Sequence, residues 1–160
     1  MDEVTHQLRI LIDADACPVK EEIYKVAFRH AVPVTVVSNA RIRLPDHPLI
    51  SREIVSDHFD AADDWIAEAC DAASVVITGD ILLADRCLKA GASVLAHNGK
   101  PFTLSSIGSA IATRAIMADL RSGGEGLLSG MGGPAPFSKA DRSRFLSALD
   151  EVLVRLTRHV

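Results

Sequence analysis

The stretch Leu8-Arg9-Ile10-Leu11-Ile12-Asp13-Ala14-Asp15-Ala16-Cys17-Pro18 carries the deciding pattern. A short apolar run stops at an acid, a second acid follows two residues on, and Pro18 then stands where the first turn of a helix accepts a proline. The apolar spacing beyond it predicts a helix to about Ala31, with Ile23, Val26 and Ala27 on one face.

The alternation continues outward from there. Pro33–Val37 is β-branched and strand-like and ends in Ser38-Asn39. Residues 39–49 hold Pro45 and Pro48 with Arg41 and Arg43 and read as a loop, and Ile50–Val55 reads as a short strand. Asp60 opens a helical stretch through about Asp71, with Ile66, Ala67 and Cys70 facing inward. Ser74–Thr78 is a strand ending in Gly79-Asp80, and Ile81–Ala90 is a helix stopped by Gly91. Ala92–Ala96 is a fifth strand, and Ser105–Leu120 a helix with Ile107, Ile111 and Ile116 on its apolar side.

Strands that alternate with helices, and are mostly apolar throughout, predict an α/β fold of three layers. The expected centre is a mostly parallel sheet with helices on both faces. The tail is different in kind. Six of the ten glycines fall between Gly123 and Gly133, so residues 122–137 read as a Gly-rich segment. Ser138 with Asp141 forms a capping box for a C-terminal helix, 138–159, whose Phe145, Leu149, Val152 and Leu156 make an apolar stripe. The stripe packs on the same domain, residues 1–160 forming one unit; the other reading is a seam between two copies in a homodimer.

Composition narrows the function. The chain has 160 residues, 48% hydrophobic and 24% charged, as a folded soluble domain does. No apolar run approaches the roughly 20 residues of a membrane helix. Met1–His6 lack the basic-then-apolar order of a secretory signal, so the expected location is cytoplasmic. Three cysteines, Cys17, Cys70 and Cys87, with no CxxC pair, exclude a disulfide framework or zinc ribbon. A net charge of −4 leaves no broad basic face for nucleic acid, though a local basic groove is compatible with it.

The acids are placed informatively. Asp13 and Asp15 follow the first strand, Asp80 follows the fourth, and Asp85 lies five residues further. In open parallel sheets ligands sit beyond the carboxyl ends of the strands, so Asp13 and Asp80 are expected to share one edge. Carboxylates brought together remain ionised only beside a cation. With oxygen donors and no His or Cys cluster, that cation is Mg²⁺ or Mn²⁺. Asp60, Asp63 and Asp64 lie on one face at a helix start, either as cap and dipole partners or with Asp63 leaning into the cluster. Ser38, Asn39, Arg43, Asn98, Lys100 and Arg114 are candidate substrate contacts, with Arg41 and Arg52 as further cations; His58 is a candidate ligand, and His97-Asn98-Gly99-Lys100 after the fifth strand either binds phosphate oxygens or forms a polar turn.

Asp13-Ala14-Asp15-Ala16-Cys17-Pro18, Phe59-Asp60-Ala61-Ala62-Asp63, Thr78-Gly79-Asp80-Ile81, and Gly132-Gly133-Pro134 with Phe137 and Asp141-Arg142 occur in the order that marks the bacterial YaiI/YqxD family, and from Leu8 to Leu149 the chain resembles it. That family is grouped with PIN-like domains, which resemble metal-dependent ribonucleases. The resemblance implies a PIN-like fold and catalytic acids at Asp13, Asp63 and Asp80, with Asp85 as a possible fourth. Two departures stand out: PIN-like enzymes typically place a Glu on the middle helix, and Asp15 is an added acid.

Three functions are compatible with these residues. The first is a divalent-metal-dependent nuclease acting on RNA or single-stranded nucleic acid, with Asp13, Asp15, Asp63, Asp80 and Asp85 as metal ligands. The second is a non-catalytic nucleic-acid- or metal-binding regulator of the same fold. The third is a haloacid-dehalogenase-like phosphatase, with Asp13 as nucleophile, Asp15 as general acid and Ser38 on the phosphate. Against the third, no lysine occurs between Arg29 and Cys87 to steady a transferring phosphoryl group.

Overall fold

The structure is a computed structural model that describes residues 7–15, 17–58, 60–109, 111–113 and 137–158. Five strands, β1 (Arg9–Asp13), β2 (Val34–Ser38), β3 (Ile50–Ile54), β4 (Ser74–Ile77) and β5 (Ser93–Leu95), form one sheet in the order β3-β2-β1-β4-β5. Every pairing is parallel, with Ile12 opposite Val36 on one side and Ile77 on the other. The helices are α1 (Lys20–His30), α2 (Ala61–Ala69), α3 (Ile81–Lys89) and α4 (Lys139–Arg158). Residues 104–109 and 111–113 are also helical.

Successive strand residues point to opposite faces, and both faces are covered. On one side Ile10, Ile12, Val34, Val36, Val75 and Ile77 pack against α1 and against Phe145, Leu149, Val152 and Leu153 of α4. On the other, Leu11, Val37, Val76 and Val94 meet Ile66 of α2, Leu83 and Cys87 of α3, and Ile107. The apolar strands of the sequence are thus the middle layer of an α/β sandwich. β3 is the exception: it is an edge strand, and Ser51, Arg52 and Ile54 are exposed.

The element boundaries shift slightly for local reasons. α1 starts after Pro18, with Val19 as an N-cap that offers no side-chain acceptor. Ala31 then ends it in the left-handed conformation at φ 55°. The capping box at α4 forms as expected: Ser138 N donates to Asp141 Oδ2 at 3.0 Å and Asp141 N donates to Ser138 Oγ at 3.1 Å. The stripe expected on this helix is buried in the chain's own core, apart from Leu156, which packs half-buried at its margin. Arg142 reaches across to α1, donating to the Pro18 carbonyl at 2.7 Å and to Glu22 at 3.3 Å. Most of the Gly-rich segment, the continuation of the 105–120 helix and Arg114 lie outside the described residues.

Candidate functional site

β1 to β3 run out in one direction from the middle of the sheet and β4 to β5 in the other, so β1 and β4 flank the point where the strand order reverses. A cleft opens beyond the carboxyl ends of such a pair, because the two connections leave toward opposite sides. Here it has a volume of about 950 Å³ and is lined by Asp13, Asp15, Asp57, Asp60, Asp63 and Asp80, with Ser38, Asn39, His58 and His97 among the others. No Lys or Arg is among its described lining residues.

Thr78 ties the two central acids together. It is fully buried just after β4, and its Oγ1 donates to Asp13 Oδ2 at 2.9 Å. The same oxygen accepts from the Asp80 N–H at 2.9 Å. Asp13 is thereby held at the strand end although it is only 9% exposed. Asp80 begins α3, and its Oδ1 accepts from Leu82 N at 2.9 Å and Leu83 N at 3.2 Å. One oxygen therefore caps the helix and fixes the carboxylate in place, as an Asp at this position commonly does. Capping and a ligand role are compatible here, because they use different oxygens.

Electrostatics show how tightly the acids crowd. Burial pushes the Asp13 carboxyl above its ordinary range, with the Asp15 and Asp80 charges adding to the effect and the Thr78 hydrogen bond opposing it. Asp63, in the first turn of α2, is pushed up to about 6 by burial and then by the charges of Asp80, Asp13 and Asp60. The middle-helix acid therefore senses both strand-end acids. Asp60, at the N-cap of α2 in the left-handed region at φ 73°, lines the cleft without capping the helix through its side chain. Asp64 pairs outward with Arg86 at 2.9 Å. Of the three acids on this helix start, Asp60 and Asp63 line the cleft.

The remaining candidates divide. Asp15, Ser38 and Asn39 line the cleft, and Ser38 Oγ donates to the Ala40 carbonyl. Asp85 is paired with Lys89 at 3.0 Å and is not among the lining residues. Arg41, Arg43 and Arg52 are exposed, outside the lining. Asn98 and Lys100 line a separate depression with Ser143, Arg144 and Glu151 of α4. Sequence reading set His97 on this edge with Asn98 and Lys100, as a phosphate contact or part of a polar turn, and passed over Thr78. Gly79 lies against the imidazole: a Cβ there would stand 3.2 Å from His97 Cε1, close enough that the ring would have to shift by a few tenths of an ångström.

Among the described residues, no three His, Cys, Asp or Glu side chains stand together as a ligand set. The donors nonetheless suit a hard cation. Mg²⁺ is usually held by one or two carboxylates with water completing its shell, and Asp13 and Asp80 provide that number from the two central strands.

Like-charge crowding has a measurable consequence. Asp63 binds its proton more tightly in the folded chain than in the unfolded one, so stability falls as pH rises from about 4 to about 6 and stays lowered above that. Asp63→Asn is expected to be more stable than the parent at pH 7.5, by about 1 kcal/mol once solvent screening is allowed for, and so to melt at a higher temperature. At pH 3 the two should coincide. Calorimetry in the presence of a chelator reads the difference, and a variant less stable at pH 7.5 would contradict the crowding.

The geometry defines an α/β protein with an acidic cleft at the switch point of a parallel sheet. The chain belongs to the YaiI/YqxD family: the family profile described as "Uncharacterized BCR, YaiI/YqxD family" matches residues 11–155. It is 75% identical over 149 residues to a UPF0178 protein of Sphingopyxis alaskensis, covering 93% of this chain and 95% of that one. It is 57% identical over 155 residues to a UPF0178 protein of Jannaschia sp., covering 97% and 98%. A UPF0178 protein of Nitrobacter winogradskyi is 57% identical over 151 residues, covering 94% of each. No solved structure matches the chain. Among the described residues, no helix is long and apolar enough to cross a membrane.

Proposed function

We propose that the cleft is the active site of a divalent-metal-dependent phosphodiesterase that cleaves RNA or other single-stranded nucleic acid. The observation that carries this reading is the Thr78 bridge. A single hydroxyl holds Asp13 and the Asp80 backbone at the switch point, with Asp63 close enough to feel both charges. Asp13 and Asp80 would hold Mg²⁺ or Mn²⁺, with Asp63 and Asp15 nearby. When bound, such an ion supplies an activated water and offsets charge developing on the phosphoryl group. The chain's own part is to orient the acids. Thr78 fixes the Asp13 carboxylate, and the α3 cap fixes that of Asp80. Below about pH 6 Asp63 holds a proton that a cation would have to displace, so affinity for the metal should fall there.

A cleft without Lys or Arg among its described lining residues has little grip on a polyanion except through a cation. That feature favours, as a second reading, a protein that binds the metal without catalysis. It also weighs against a phosphatase of the haloacid-dehalogenase type, which needs a cationic side chain on the phosphoryl group.

One experiment separates the three. Mn²⁺ is titrated by calorimetry at pH 7.5 and pH 5.5, while the loaded protein is offered fluorescent single-stranded RNA and p-nitrophenyl phosphate. The nuclease reading expects binding at pH 7.5, weaker binding at pH 5.5, and RNA cleavage without monoester hydrolysis. Binding with neither reaction selects the regulator, monoester hydrolysis alone selects the phosphatase, and no Mn²⁺ binding ends the proposal.

A further inference from the structure

His97 follows β5 and lines the cleft, packed over Gly79 beside Asp80. Its Nε2 is shielded from solvent and has no hydrogen-bond partner among the described residues. A histidine among carboxyls ordinarily pairs with one of them and gains charge. Here no such pair forms among the described residues, and burial lowers its pKa, which favours the neutral ring. A neutral imidazole carries one proton on one of two nitrogens. Buried N–H groups are rarely left unpaired, whereas a bare acceptor is tolerated somewhat better. The proton therefore belongs on Nδ1, and Nε2 keeps its lone pair inside. Nδ1 would stand 3.5 Å from a Cβ at Gly79, on the side of the ring toward the Thr78-Gly79-Asp80 turn. That distance is ordinary contact; the tighter one, 3.2 Å to Cε1, is what the glycine relieves.

We propose that His97 is a substrate-positioning residue, whose Nδ1–H donates a hydrogen bond to a phosphate oxygen brought into the cleft with the divalent cation. The proposal rests on the reading of the cleft as a metal-assisted phosphate site, and deepens it by naming a neutral donor on the phosphate. An N–H fits this task where a lysine would not. A fixed ammonium would pair with the surrounding aspartates and compete with the metal, while a neutral donor leaves them to the cation. One hydrogen bond to a charged oxygen is expected to alter affinity about tenfold to a hundredfold.

The test uses side chains that imitate one nitrogen at a time. The amide nitrogen of Asn can occupy the place of Nδ1, and that of Gln the place of Nε2. Binding of inorganic phosphate to the Mn²⁺-loaded protein is measured by calorimetry for the parent, His97→Ala, His97→Asn and His97→Gln, alongside Mn²⁺ affinity and RNA cleavage. The expected pattern is unchanged Mn²⁺ affinity in all four, phosphate binding weakened about tenfold or more in His97→Ala and His97→Gln, and recovery in His97→Asn. Gly79→Ala, which crowds the ring without removing it, should weaken phosphate binding too. Equal phosphate binding by the parent and His97→Ala would overturn the proposal, as would rescue by Gln in place of Asn, or a parent that binds no phosphate. Should this pattern hold while the parent leaves RNA intact, the nuclease reading fails and His97 keeps its role.

Discussion

Asp13→Asn is expected to lower Mn²⁺-dependent cleavage of single-stranded RNA at least about a hundredfold in kcat/KM. Changing a group that merely supports a metal ligand commonly costs ten- to a hundredfold, so losing a ligand's charge should cost no less. The substitution is conservative in shape. Asn can still accept the hydrogen bond that Thr78 gives Asp13 at 2.9 Å. It also removes a buried charge whose own pKa is already raised by desolvation. The apo variant should therefore melt no lower than the parent, and circular dichroism at pH 7.5 checks this. The two measurements together distinguish lost chemistry from lost structure. A variant that cleaves like the parent would remove Asp13 from the reaction.

Gly99→Val should produce the largest loss of stability, about 2–5 kcal/mol. A side chain at this position meets two obstacles. The backbone is left-handed at φ 87°, which costs a non-glycine residue roughly 1–2 kcal/mol. A Cβ would also stand 2.7 Å from the Arg144 carbonyl oxygen in α4, where the obstacle is backbone and cannot turn aside. Relieving it means moving the last helix off the core, at a typical cost of 1–3 kcal/mol. Gly91→Ala isolates the first effect. Its φ is 94°, yet its nearest contact is an ordinary 3.8 Å, so about 1–2 kcal/mol is expected. Urea unfolding of both variants reads the difference, and equal losses would show that α4 yields easily.

Much of the fold was legible because period and punctuation agreed. Ile10–Ile12 and Val75–Ile77 are buried on both faces, as unbroken apolar runs suggest, and Asp13 and Asp80 close those runs at the same edge of the sheet. Convergence of the two acids could be read because parallel strands share one carboxyl end. What could not be read was direction. Asp85 is one helical turn from Asp80, but Lys89 offers it a partner on the exposed side. Asp64 neighbours Asp63 and turns to Arg86 for the same reason. Spacing places a carboxylate on a face; the cations around it decide where it points. His97 could be set on this edge from its position just past the fifth strand, but its packing on Gly79 and its separation from Asn98 and Lys100 could not be read. Asn98 and Lys100, three and five residues past β5, face α4 instead, since Gly99 turns the chain toward that helix.

The position of α4 in the chain has a consequence for biosynthesis. Its Phe145, Leu149 and Leu153 are fully buried against strands made long before them. During translation the sheet leaves the ribosome with one greasy flank covered by α1 but not by α4, and it stays so until the segment ending at Arg158 has emerged. Arg142, fastened to the Pro18 carbonyl, then draws the last-made helix onto the turn that carries Asp15. Until then the nascent chain is open to aggregation or chaperone capture on that flank.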